Sequence, residues 1–158
     1  MKVFCKASLI VSLFASISWV NAADFDIKVP MRDKGARTYY IGAQIAGFGS
    51  TELMVDTGSG YLTINDETLQ TLLKQDKAQY VKQLTGILAD GTEMKVPVYR
   101  LTSLNLGGTC WINNVEAAVF PGKTRQILGL SALSKAAPFI FSIDPPQLVL
   151  SNCDGSPT

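Results

Sequence analysis

Asp56 stands at the end of an apolar run, Leu53-Met54-Val55, and is followed at once by Thr57-Gly58-Ser59-Gly60. Leu53 and Val55 alternate with Met54, the pattern of a buried or half-buried strand. Gly58 and Gly60 let the chain turn sharply or bring its backbone close to a bound molecule. A carboxylate buried at such a place needs donors, a partner charge or a proton, so its chemistry is that of an acid or a base. The sequence contains no histidine. That removes histidine-assisted serine or cysteine triads and histidine-based zinc sites from consideration.

Met54-Val55-Asp56-Thr57-Gly58-Ser59 resembles the active-site loop of retropepsin-like aspartic proteases, the single-domain members of the pepsin clan, here of a bacterial exported type. The second half of that pattern, two apolar residues and a glycine before a short helix, is met by Ile127-Leu128-Gly129, with Leu130 through Ala136 supplying the helix. The resemblance implies an all-β fold: a closed, orthogonal β-barrel with one or two short helices and a flap hairpin. It implies an aspartic endopeptidase in which two carboxylates share a proton around one water and titrate as a coupled pair. Asp56-Thr57-Gly58 occurs once, so the second carboxylate is expected from a homodimer, with Asp56 of each chain meeting on a two-fold axis.

The same resemblance gives roles to the neighbours. Thr57 braces the paired loops, Gly58 lets its amide and the substrate backbone approach the acids, and Ser59 donates to the outer carboxylate oxygen. Ile127, Leu128 and Gly129 pack beneath the loop. Gly86, Ile87, Leu88, Ala89, Asp90 and Gly91 fall where the family has its substrate-covering flap. The partner is a peptide or protein substrate, and no cofactor is implied. The alternative is a non-catalytic retropepsin-like module of the periplasm that binds a peptide or protein. A lipocalin-like carrier barrel fits poorly, because a helix among the early strands and two glycine motifs do not suit an up-and-down barrel.

Thr38 to Ile45 and Ser50 to Val55 read as a hairpin across Ala46-Gly47-Phe48-Gly49, delivering Asp56 to its loop. Asn65 is a helix N-cap, with Asp66 and Glu67 in the first turn and Leu69, Leu72 and Leu73 at helical spacing. Val81 to Ile87 and Thr92 to Val98 flank the Asp90-Gly91 turn. Further strands follow over Pro97 to Leu106 and Thr109 to Phe120, the latter with a bend near Asn113-Asn114. Ser131 is expected to cap the short helix, which Pro138 stops. Phe139 to Ile143 and Gln147 to Leu150 pair across Asp144-Pro145-Pro146.

Residues 1–22 read as a signal peptide: Lys2 and Lys6, a mostly apolar Ala7 to Val20, and small residues ending at Ala22. A membrane anchor would need a longer apolar run. The domain expected is 23–158, periplasmic or secreted, with no stable membrane anchor after cleavage. Without Lys2 and Lys6 the chain carries one more acid than base; it has no basic stripe, so a nucleic-acid partner is not expected. Cys110 and Cys153 then form one disulfide, as suits an exported protein, or remain two buried thiols. Two thiolates without histidine do not suggest a metal site.

Overall fold

In the computed structural model the described residues are 24–87 and 91–157. The proposed signal segment and the flap tip, Leu88-Ala89-Asp90, lie outside them. The chain runs β1 (Ile27–Pro30), β2 (Arg32–Asp33), β3 (Tyr39–Ile45), β4 (Gly49–Val55), β5 (Leu62–Asn65), α1 (Asp66–Lys74), β6 (Ala78–Ile87) and β7 (Glu93–Leu106). It continues through β8 (Cys110–Phe120), β9 (Ile127–Leu128), α2 (Leu130–Leu133), a 3-10 turn (Ser134–Ala136), β10 (Phe139–Ile143) and β11 (Pro146–Leu150).

The expected all-β closed, orthogonal barrel is not the architecture found. The fold is mixed, with two short helices and a large, mostly antiparallel eight-stranded sheet in the order β2-β3-β4-β9-β5-β8-β7-β6. A separate three-stranded sheet has the order β1-β11-β10. Two features separate this from a hairpin-connected barrel. α1 carries the chain from β5 to β6, and two short ladders, β4 with β9 and β5 with β8, are parallel. Parallel neighbours require a crossover rather than a tight turn.

The local signals account for most elements. Strand β3 alternates, with Tyr39, Ile41, Ala43 and Ile45 buried, while Tyr40 is half-buried beneath Lys34, whose Nζ lies 4.8 Å from the ring centroid. The Asn65 side chain accepts from Thr68 N at 3.0 Å and caps α1, which buries Leu69 and Leu72 against the sheet. Where a bend is expected in β8, Asn114 has φ of 56°, while the β7–β8 register is the same on either side of it, at Leu101↔Val115 and Ser103↔Asn113. One apolar core joins both sheets: Val29, Leu148 and Leu150 belong to the same cluster as Ile41, Leu53, Leu104 and Leu128. The Cys110–Cys153 disulfide is formed, with Cα atoms 5.2 Å apart, linking β8 to the segment after β11. No helix among the described residues is long and apolar enough to cross a membrane.

Pro97 marks where the β6–β7 hairpin leaves the main sheet. It pairs with Gln83 on β6, whereas the ladder between β7 and β8 begins at Val98↔Ala118. A residue lacking an N–H is tolerated where one side of its strand is unpaired. Beyond it, Leu84–Ile87 and Glu93–Val96 form a two-stranded projection.

Candidate active site

β4 ends at Val55, and Asp56 N still donates to Leu128 O at 3.1 Å, so the parallel pairing with β9 continues into the loop. Gly58 N donates to Asp56 Oδ1 at 2.9 Å, and Ser59 N donates to Asp56 O at 3.3 Å. The carboxylate is half-buried and its orientation is set by the loop that carries it. A Cβ at Gly58 would stand 3.1 Å from Asp56 Oδ1, crowding that approach.

The exit from the loop is fixed against α2. Ser59 O accepts from Leu130 N at 2.8 Å, and Gly60 O accepts from Ser131 N at 3.1 Å. At the crossing lies Gly129, where a Cβ would fall 2.1 Å from Tyr61 O and 2.7 Å from Ser59 O. Glycine is required there by lack of space. Leu128 and Gly129 thus adjoin the loop, Leu128 through its carbonyl and Gly129 through its close approach to Ser59 and Tyr61.

Two expectations need correction. Ser131 does not cap α2; the N-cap is Gly129, without a side-chain bond. Instead the Ser131 hydroxyl accepts from Leu62 N at 2.7 Å and donates to Glu116 O at 2.6 Å, tying β5 to β8 just after the loop. Nor does Ser59 donate to the carboxylate: its Oγ bonds to Tyr61 O at 2.9 Å, an internal loop bond that leaves its own amide near Asp56. Reading the sequence alone misses Gln126. Its side chain accepts from Thr51 at 3.0 Å and donates to Thr68 at 2.7 Å, joining β4 and α1 to the β9 approach. A glutamine before an apolar-apolar-glycine motif carries no sequence signal for that bridge.

Asp56 opens into a cleft of about 310 Å³. Its walls are Gly60, Tyr61 and Thr63 on the loop side, Leu84, Thr85, Gly86 and Val96 from the projecting hairpin, and Ala118, Phe120, Thr124 and Ile127 opposite. Among these described lining residues Asp56 is the one carboxylic acid, facing mostly apolar walls. Lys95 Nζ donates to Thr85 Oγ1 at 2.8 Å, cross-bracing the hairpin above it. The structure thus brings Gly86 to the cleft, but Ile87 is 73% exposed and does not line it. Gly91, with φ of 83°, follows the undescribed tip, Thr57 is exposed, and the disulfide lies outside the cleft lining.

Residues 41–135 match the family described as "gag-polyprotein putative aspartyl protease". The chain belongs to the retropepsin-like aspartic protease family. This retropepsin-like chain is similar to the crystal structure of a retropepsin-like aspartic protease from Rickettsia conorii, with 25% identity and a TM-score of 0.56. The match covers 78% of this chain and 88% of that one. No curated protein matches the chain. The Asp56 loop, the hairpin walls and Ile127–Gly129 all fall within the matched span.

Proposed function

We propose that this retropepsin-like chain is an aspartic endopeptidase in which Asp56 and Asp56 of a second copy form the catalytic pair. The observation that carries this reading is one carboxylate among the described lining residues, oriented by Gly58 N, in a mostly apolar cleft overhung by a hairpin. Hydrolysis by this chemistry needs two carboxylates. The ionised one takes a proton from the water, the water oxygen attacks the peptide carbonyl, and the protonated one donates to the carbonyl oxygen. The leaving nitrogen then takes a proton from the pair as the C–N bond breaks. One copy supplies one acid, so a homodimer completes the site, with Thr57 at the junction of the loops.

Substrate recognition follows from the walls. An extended peptide bonds through its backbone to the Gly58 region and the hairpin, placing alternate apolar side chains in the cleft. The bonded Cys110–Cys153 pair supports residence in an oxidising compartment. That agrees with 1–22 acting as a signal peptide and 23–158 as the exported domain.

The test compares wild type with Asp56→Asn for appearance of new peptide termini, alongside sedimentation across a wide concentration range. Cleavage by wild type only, rising with dimer formation, is expected. Equal cleavage by both proteins would exclude Asp56 as the catalytic acid. A chain that stays monomeric at high micromolar concentration with peptide would exclude the shared pair. Tight peptide binding by wild type without cleavage would point to the binding module instead.

A further inference from the structure

One face of β6, β7 and β8 is apolar toward the hairpin and charged toward its root. Directly paired residues share a face, as do residues two apart. Leu84, Gly86, Val96, Ala118 and Phe120 line the cleft, and the same rows continue to Lys82 on β6, Arg100 on β7 and Glu116 on β8. There Lys82 Nζ reaches across β7 to within 3.1 Å of Glu116 Oε2, while Arg100 lies 3.6 Å from Glu116 Oε1. Lys82 Nζ also stands 5.5 Å from the centroid of Tyr61, a residue of the cleft wall. Glu116 is the common anchor: its carbonyl receives the Ser131 hydroxyl, which in turn holds Leu62 N, the residue after Tyr61.

We propose that Lys82 and Glu116 are a positioning pair that holds the Tyr61 ring as the end wall of the cleft and so limits the size of the apolar side chain admitted. The proposal rests on the peptide-binding part of the reading above. Hydrogen bonding to Tyr61, and then to Glu116, holds the Lys82 ammonium above its usual range, in keeping with that arrangement. An isolated exposed ion pair has little effect. Here the pair spans three strands and rests on an aromatic ring, so its effect falls on the ring's placement.

The experiment uses full-length protein in the Asp56→Asn background, so that binding is read without cleavage. The probes are extended octapeptides identical except for Leu, Phe or Trp at one central position. Lys82→Met and Glu116→Gln are expected to change the Leu-to-Trp affinity ratio by about two- to fivefold, and Lys82→Arg to restore it. Tyr61→Ala serves as the reference for a lost wall. A ratio unchanged in both Lys82→Met and Glu116→Gln, but altered in Tyr61→Ala, overturns the pair. In parallel, the Tyr61 ring signal of ¹³C-tyrosine-labelled free protein is compared among the parent, Lys82→Met and a control substitution on β1, Lys28→Met. A Tyr61 signal moved by Lys82→Met and not by the control upholds the positioning pair even where no octapeptide binds, an outcome that would count against the peptide-binding reading. An unmoved signal overturns the pair.

Discussion

Two glycines in the active-site region make opposite predictions despite their similar appearance in sequence. Gly129 sits where backbone meets backbone: an added Cβ would fall 2.1 Å from Tyr61 O and 2.6 Å from Tyr61 C. Neither contact is the far end of a flexible side chain, so relief requires the β9–α2 junction to move away from the loop that leads into β5. Gly129→Ala is expected to destabilise the fold by about 3 kcal/mol, the upper end for overpacking. Gly60 has no heavy atom within 4 Å of the corresponding position. Gly60→Ala should change stability by less than about 0.5 kcal/mol. Urea unfolding of the two variants beside wild type checks both; equal losses would contradict the crossing. The apolar-apolar-glycine pattern was legible at Ile127-Leu128-Gly129, but the identity of the colliding atoms was not, since Tyr61 and Ser59 lie far away in sequence.

The helix α1 and the β3–β4 hairpin were legible because their signals are local: a cap at Asn65, apolar spacing, and a glycine turn. The β6–β7 hairpin was legible as a turn flanked by strands, whereas its division at Pro97 emerges from pairing with β8. Val98–Leu106 is held on both sides by neighbouring strands for much of its length, but Glu93–Val96 is held by β6 alone. Amides bonded within Leu84–Ile87 and Glu93–Val96 should therefore exchange faster with solvent than those of Leu101–Leu106. Native-state hydrogen exchange resolved by residue measures this, and uniform protection along β7 would refute a separately opening hairpin. That freedom is what the proposed peptide binding requires of a hairpin that walls the cleft.

At the scale of the molecule, the disulfide joins the two sheets, since Cys110 begins β8 and Cys153 follows β11. The bond spans 43 residues of sequence. Closing a loop of that length in the unfolded chain corresponds to about 4 kcal/mol in the chain-entropy account. Cys110→Ser combined with Cys153→Ser should lower stability by up to that amount, read as a lower urea midpoint. Reductant should shift wild type toward the double variant and leave the variant itself unmoved. The dyad proposed for Asp56 belongs to this scale too, because the described cleft lining of one chain holds one acid.

The family resemblance, the loop centred on Asp56, its companion at Ile127–Gly129 and the order of most elements are legible in the residues alone. These are written in contiguous residues, where strand alternation, capping and turn chemistry act over a few positions. The division of the strands into an eight-stranded and a three-stranded sheet instead of a closed barrel emerges with the folded chain. So do the bridge from Leu62 through Ser131 to Glu116 and the reach of Lys82 to Tyr61. Those outcomes depend on which strands become neighbours. Neighbours are chosen by burial and register across the whole chain, and no short window of sequence contains both partners.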